Sequence, residues 1–204
     1  MNILAICSAL NNSYLALQIN DKQYSKIIKS DKNYHSLYLI SKIKELCNEN
    51  NFELSNLNAI AVNCGQGSFT GIRVAMSVAK IMAGELNLPL IGLNTTEILL
   101  NTYGCNVLLM DARRDMFFFG TKEKTELILK EKIKEKIINN DNKIVCDKNS
   151  KELFDNSICY EEIEKDLGLT MLNLASDKLL NTQDLNEFNY LRCEANYIQT
   201  PPVF

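Results

Sequence analysis

The chain has 204 residues, of which 46% are hydrophobic and 23% are charged, and its formal net charge is −3. This composition is close to the average of globular proteins, so it excludes a wholly disordered chain and allows one large domain or two lobes. The negative charge offers no general attraction to nucleic-acid phosphates, so we expect another chain to supply most of the basic surface for any nucleic acid.

No apolar run reaches the roughly 18 residues that a membrane-spanning helix needs, so we expect no membrane association. The opening MNILAICSAL lacks the basic region and the cleavage site of a signal peptide, which favours a cytoplasmic location. The seven cysteines are widely spaced and include no C-x-x-C pair. This pattern is typical of reduced thiols rather than of a disulfide framework or a zinc site, so no metal is predicted in this chain.

The first half of the chain predicts an α/β lobe, which we place at residues 1–103. Its apolar patterning begins with three strands that are separated by short turns and continues as alternating helices and strands. The predicted strands are 2–8, 13–20, 23–30, 59–63 and 89–93, and the predicted helices are 35–49, 71–86 and 95–103.

A smaller second lobe is predicted at residues 104–204, with the last residues able to return to the first lobe. Strands are predicted at 106–112 and 116–120, and an amphipathic helix at 170–181 with Thr170 or a neighbour as its N-cap. Residues 122–143 are rich in Lys and Asn. Because their charges alternate in sign, we interpret them as solvated strand edges and loops rather than as a binding tail.

The segment GQGSFTGIR lies between a predicted strand and a predicted helix. One interpretation is a nucleotide site, because a helix N-terminus with unpaired N–H groups favours an anion. The segment lacks a Walker lysine, its glycines are one residue off the dinucleotide spacing, and Asn94 replaces the acidic ribose ligand. We favour the alternative of a tight turn with Thr70 as the helix cap. The residues of this degenerate nucleotide site are Gly65, Gly67, Ser68, Thr70, Gly71 and Arg73.

A second charged motif, MDARRDMFF, places Asp111 at a strand end, followed by Arg113 and Arg114. The guanidinium groups could contact a phosphate or carboxylate in bidentate fashion. The alternative is a local salt bridge that closes a hairpin, and the sequence does not separate the two. His35 is the single histidine, and its position at a helix start favours capping or an interface contact over general-base catalysis. No catalytic residue is predicted.

The helices 35–49 and 71–86 have apolar arcs wider than the roughly 100° that packing on one core requires. The surplus apolar surface predicts a partner interface, whereas the alternative is complete burial within the chain's own core. The predicted interface residues are His35, Tyr38, Leu39, Val74, Val78 and Met82.

Several of these segments together resemble the TsaB (YeaZ) family over most of the chain and in matching order. They are GQGSFTGIR, MDARRDMF, the opening NILAI, the helix NYHSLYLI and the late tripeptide YLR. The resemblance implies an α/β fold of the ASKHA type, which has two lobes of mixed sheets flanked by helices. It also implies a noncatalytic subunit that supports a TsaD-type transferase in making threonylcarbamoyladenosine at position 37 of tRNAs.

The same resemblance implies the partners. A TsaD-type paralogue is expected in a heterodimer and a TsaE-type ATPase as a further subunit, with ATP and a metal bound in those partners. Contact with tRNA is expected only through the complex, and the isolated chain is expected to be able to form a homodimer.

One position departs from the family pattern. Members commonly begin AIDTS, whereas this chain has AICSA, so Cys7 stands where ASKHA enzymes place a carboxylate. A neutral thiol is a poor ligand for Mg²⁺, and we therefore expect no cofactor in this chain and an inherited turn at the glycine loop. The competing hypothesis is a small ASKHA-type nucleotide-binding phosphotransferase that uses the loop from Gly65 to Gly71 together with Asp111.

Overall fold

The computed structural model describes residues 1–29, 35–137, 142–154 and 156–195, with the side chains of residues 35–37 outside that description. These residues form two compact units. The first unit contains Met1–Thr95 and the described residues from Asp166 onward, and the second contains Thr96–Lys165. The prediction divides the chain after residue 103, whereas this division falls after Thr95 and returns the residues from Asp166 to the first unit, where a late helix packs on the sheet. The final predicted segment, from residue 196, lies outside the described residues.

The elements follow the predicted order closely in the first half of the chain. In chain order they are β1 (Ile3–Cys7), β2 (Ser13–Ile19), β3 (Lys22–Ile28), α1 (His35–Glu49), β4 (Ala59–Asn63), α2 (Phe69–Leu86), β5 (Leu90–Leu93), α3 (Thr95–Tyr103), β6 (Val107–Asp111), β7 (Met116–Gly120), β8 (Thr125–Leu129), α4 (Ile133–Lys136), β9 (Ile144–Cys146), β10 (Ile158–Cys159) and α5 (Leu167–Asn181). Short 3-10 helices lie at Leu54–Asn56, Lys130–Lys132, Lys151–Leu153 and Leu185–Phe188.

The sheet of the first unit has the strand order β3-β2-β1-β4-β5. The first three strands form an antiparallel meander, and β1, β4 and β5 are parallel. Both β1 and β4 are buried at every position, as expected for central strands that are covered on both faces. Helices α1 and α2 pack on the face that carries Leu15 and Leu17, and Gly168 of α5 meets the opposite face at Ala16. Successive side chains of a strand point to opposite faces of the sheet, so the strands contribute side chains to the packing of both helical layers.

The sheet of the second unit has the strand order β10-β9-β6-β7-β8. Strands β6, β7 and β8 form an antiparallel meander, whereas β9 and β10 continue the sheet in parallel with β6. Its core includes Phe117, Phe119, Ile128 and Ile133. The last two belong to the Lys-rich stretch, which is therefore a strand and a helical turn that each bury one isoleucine. The prediction of solvated strand edges and loops missed these two buried isoleucines.

Two helix starts differ from the predictions because a polar residue placed earlier in the chain is the cap. Helix α2 begins at Phe69, and the Ser68 hydroxyl accepts a hydrogen bond from the Gly71 N–H, so the prediction of Thr70 as the cap is wrong. Helix α5 begins at Leu167, and the Asp166 carboxylate accepts from the N–H groups of Gly168 and Leu169. Thr170 therefore lies inside the helix.

Among the helices that the structure describes, none combines the length and the apolar character needed to cross a membrane.

Candidate functional site

An apolar groove of about 480 Å³ lies between α1 and α2 in the first unit. We call it the α1–α2 groove and define it by six of its lining residues. These are Ile40, Ile43, Phe52, Val78, Ile81 and Met82.

The groove exists because each helix carries more apolar side chains than the sheet can cover. On α2, alanines at Ala75, Ala79 and Ala83 are buried and bring the helix close to the sheet. Ile40 on α1 and Ile81 on α2 are left 66% exposed. Complete burial of both helices by the chain's own core, the alternative weighed from the sequence, is therefore wrong at these two positions.

The predicted interface residues occupy three different environments. Val78 and Met82 are half-buried and line the groove, and Tyr38 is 52% exposed on α1. Val74 is half-buried against the core cluster. Leu39 is only 1% exposed and belongs to that core, so it offers no surface to a partner. The apolar arc of α1 includes Leu39, but the arc alone does not show that this side chain faces the sheet.

His35 begins α1, and its side chain lies outside the described residues. The predicted interface does not include Ile40 and Ile81, although both lie in the apolar arcs. Ile81 is at one end of the arc of α2, which was an available signal, whereas Ile40 lies inside the arc of α1 and gave none. Phe52 follows α1 and gave no periodic signal at all.

Charged residues fix α1 beside the meander. The Lys26 ammonium donates to Glu45 and Glu49 at 2.6 and 2.8 Å, and Lys42 donates to Glu45 at 2.6 Å. The hydrogen bonds from Lys26 and then from Lys42 lower the pKa of Glu45 from 4.5 to about 2. This network ties α1 to β3.

The glycine loop closes against the end of β1. A Cβ on Gly67, whose φ is +138°, would lie 2.1 Å from the Ala9 carbonyl oxygen, and a Cβ on Gly71 would lie 1.8 Å from that of Ser8. A Cβ on Gly65 would meet the Thr95 backbone nitrogen at 2.4 Å. The chain's own backbone therefore occupies the space beside all three glycines, which is the arrangement that a tight turn requires.

Hydrogen bonds hold the loop in this position. The Ser68 N–H donates to the Ala9 carbonyl at 2.6 Å, and the Ser8 hydroxyl donates to the Gly71 carbonyl at 2.8 Å. Thr70 and Arg73 are exposed, and the Arg73 guanidinium lies 5.2 Å from the centroid of the Phe69 ring.

A buried polar group behind the loop was missed from the sequence. The Asn63 amide donates to the Thr95 hydroxyl at 3.1 Å, and the Thr95 hydroxyl donates to the Gln66 carbonyl. The Gly65 N–H in turn donates to the Asn63 side-chain oxygen at 3.3 Å. Asn63 is the last residue of β4 and Thr95 is the first residue of α3. Only the register of the sheet brings these two residues together.

Cys7 ends β1 and is completely buried. Burial raises the pKa of the Cys7 thiol from 9.0 to about 11, so this side chain is neutral near pH 7. A neutral buried thiol does not reproduce the charge that a carboxylate would bring to this position.

The turn after β6 is closed by the carboxylate of Asp111. Asp111 accepts from the Arg113 N–H at 2.7 Å and from the Asn149 amide at 2.9 Å. Arg113, Arg114 and Asp115 all have positive φ, at 68°, 53° and 57°. Within the described part of the chain no ion pair joins Asp111 to either arginine, so the alternative of a salt bridge between them is not what closes this turn. Both guanidinium groups are exposed, and their anion contact stays a prediction.

Comparisons with known proteins identify the family. A family model described as TsaD, tRNA N6-adenosine threonylcarbamoyltransferase, matches residues 24–164. The chain is 37% identical over 98 residues to the tRNA threonylcarbamoyladenosine biosynthesis protein TsaB of Buchnera aphidicola subsp. Baizongia pistaciae, covering 48% of this chain and 44% of that protein. It is 29% identical over 124 residues to TsaB of Bacillus subtilis, covering 59% and 54%. In these matches the chain spans about half the length of the curated relatives.

Solved structures confirm the predicted α/β fold with two mixed sheets flanked by helices. YeaZ from Pseudomonas aeruginosa superposes with a TM-score of 0.73 at 17% identity, covering 97% of this chain and 99% of that one. A second structure from that organism, described as similar to the peptidase YEAZ, gives a TM-score of 0.76 at the same identity and coverage. The chain belongs to the family that the TsaD model describes, and within it to the TsaB (YeaZ) proteins.

Proposed function

We propose that this chain is a noncatalytic subunit in the synthesis of threonylcarbamoyladenosine at position 37 of tRNAs, and that it binds a TsaD-type transferase through the α1–α2 groove. The observation that carries the proposal is the pair Ile40 and Ile81, each 66% exposed on neighbouring helices that line one apolar groove. The names of the curated relatives support the pathway in this proposal. The exposed apolar groove supports the mode of binding.

The energetics favour a helical partner. Fully burying an isoleucine side chain is worth about 1.5–3 kcal/mol, so covering both residues contributes substantially to association. Two adjacent helices are best covered by another helix pair, which gives four-helix packing. A TsaD-type protein fits this requirement because the TsaD family model matches this chain, so a related fold would present an equivalent pair of helices.

The noncatalytic role is supported by two local environments. Cys7 is a buried neutral thiol, and the three loop glycines pack directly against the backbone of the same unit, as in a tight structural turn. ATP and a metal then belong to the partner subunits, TsaE joins as a further subunit, and tRNA contacts the assembly rather than this chain alone. The competing phosphotransferase would have to use a loop whose glycines are already engaged within the first unit.

The proposal is tested by placing a charge in the groove. Ile40→Glu and Ile81→Glu should weaken binding to the TsaD-type protein of the same cell by at least tenfold, because a carboxylate would be desolvated in the interface. Leu180→Glu is the matched control, since Leu180 is 77% exposed on α5, away from the groove. Binding is measured by calorimetry or pull-down, and folding by circular dichroism.

The outcomes separate the hypotheses. Loss of binding in both groove variants, with native spectra and unaffected binding in the α5 control, supports the proposal. Binding that survives both substitutions overturns it. Sedimentation of the isolated chain and the same variants tests whether the groove also mediates the homodimer.

A further inference from the structure

Two thiols from distant parts of the sequence meet beside Gly92 in β5. The Sγ atoms of Cys64 and Cys193 lie 3.1 and 3.2 Å from the position that a Cβ on Gly92 would occupy. Each sulfur is therefore next to the same small volume, and the missing side chain of Gly92 is what leaves that volume open to them.

The sheet and the late segment of the chain both contribute to this meeting. Cys64 follows β4, and its N–H donates to the Leu93 carbonyl at 2.9 Å, which fixes it beside β5. The late segment, residues 189–195, places the Tyr190 ring 3.3 Å from a Cβ built on Gly84 of α2. Tyr190 and Cys193 both pack against the core cluster of the first unit.

These two cysteines also differ from the others in exposure. Cys64 and Cys193 are partly exposed, whereas Cys7, Cys47, Cys105, Cys146 and Cys159 are buried. Because these two thiols are adjacent and partly exposed, they are more accessible to oxidants than the five buried cysteines.

We propose that Cys64 and Cys193 form a reversible disulfide, and that this pair is a modification site for oxidants of the peroxide class. With hydrogen peroxide, one thiolate attacks a peroxide oxygen and the O–O bond breaks, which gives a sulfenic acid and a hydroxide that takes up the proton lost by the thiol and leaves as water. The second thiol then displaces the sulfenic oxygen as another water and forms the S–S bond. The two thiols lose two electrons and two protons in total, and the peroxide receives them.

The bond would fasten residues 189–195 to the end of β4, immediately before the glycine loop. Because it links positions that are far apart in the sequence, it closes a long loop and restricts the unfolded chain strongly. Oxidation should therefore raise the melting temperature of the folded protein. Burial raises the pKa of the Cys193 thiol, with Lys80 opposing the shift, so disulfide formation should accelerate as the pH rises above neutral.

The test treats the full folded chain with hydrogen peroxide and maps disulfides by mass spectrometry before and after addition of dithiothreitol. We expect one predominant peptide pair containing Cys64 and Cys193, its loss in Cys64→Ser and Cys193→Ser, and its recovery after reduction and re-oxidation. Cys47→Ser is the control, because Cys47 is buried in the same unit, and it should leave the pair unchanged.

A second variant tests the geometry without removing a thiol. Gly92→Ala would add a methyl group against both sulfurs and should slow disulfide formation severalfold while native circular dichroism is retained. The inference is overturned if the folded wild-type chain forms no Cys64–Cys193 linkage at any pH tested. It is equally overturned if either cysteine links to Cys47 as readily as to its proposed partner.

Discussion

The Ser8 carbonyl oxygen and Gly71 are so close that a Cβ on Gly71 would lie 1.8 Å from that oxygen. The contact joins the end of β1 to the first turn of α2, and the Ser8 hydroxyl adds a hydrogen bond to the Gly71 carbonyl at 2.8 Å. The position of α2 on the sheet, and therefore of its groove face, depends on this close approach.

Gly71→Ala should destabilise the chain by about 3 kcal/mol, because backbone rather than a flexible side chain must move to admit the methyl group. For a chain of this size that corresponds to a fall in melting temperature of roughly 6–12 °C. Thermal unfolding followed by circular dichroism measures the change.

Gly104→Ala is the matched control. Gly104 has a φ of +65° and nothing within 4 Å of its added Cβ, so only the backbone conformation is penalised, by about 1 kcal/mol. Equal losses in the two variants would show that the approach to Ser8 is not a constraint.

The cap of α2 gives a second prediction. Ser68→Ala should cost about 1 kcal/mol, because the Gly71 N–H loses its acceptor. Thr70→Ala, within the same exposed first turn, should change the unfolding free energy by less than about 0.5 kcal/mol. Chemical denaturation of both variants measures the difference, and a larger loss at Thr70 would contradict the observed cap.

Sequence patterning predicted the first unit well because its signals are local. The strands β1, β4 and β5 are short apolar runs, and the residues of α1 and α2 recur with helical spacing. The caps were harder, since Ser68 and Thr70 are both acceptable cap residues and only the observed chain path selects Ser68. Strand β9 was missed because its three residues are too few to show alternation.

The candidate site was predictable only in part for a similar reason. A wide apolar arc indicates surplus surface, but which members face outward depends on how each helix is rotated on the sheet. Leu39 and Ile40 are neighbours in the sequence and both belong to the apolar arc, yet they are 1% and 66% exposed. Contacts between distant residues, such as Asn63 with Thr95 or Cys64 with Cys193, depend on sheet register and chain path, which no local pattern contains.

The turn after β6, which carries Arg113 and Arg114, gives a third prediction. Arg113→Gln combined with Arg114→Gln should change the unfolding free energy by about 1 kcal/mol or less, because both guanidinium groups are exposed. A loss of threonylcarbamoyladenosine synthesis in the reconstituted complex, with this stability retained, would support an anion contact. Full synthesis by the double variant would contradict that role.

Backbone conformation at the same turn can be probed separately. Arg114 has a φ of 53°, which a β-branched residue adopts only at substantial cost. Arg114→Val should therefore destabilise the chain by about 1–2 kcal/mol more than Arg114→Gln.

The ion-pair network of α1 gives the last prediction, which concerns pH. The pKa of Glu45 is lowered to about 2 in the folded chain from an ordinary value of 4.5 by hydrogen bonds from Lys26 and Lys42. A lowered folded-state pKa stabilises the folded chain fully above pH 4.5, and that contribution is lost progressively as the pH falls from 4.5 towards 2. Glu45→Gln should therefore be less stable than the wild type near neutral pH, and the difference should shrink across that range. Because Glu45 is solvent-accessible, the difference should also shrink in high salt. Urea unfolding at several pH values measures it, with Glu85→Gln on the exposed side of α2 as the control. A gap between wild type and Glu45→Gln that stays constant down to pH 2 would show that the charge of Glu45 does not stabilise the α1–β3 contact.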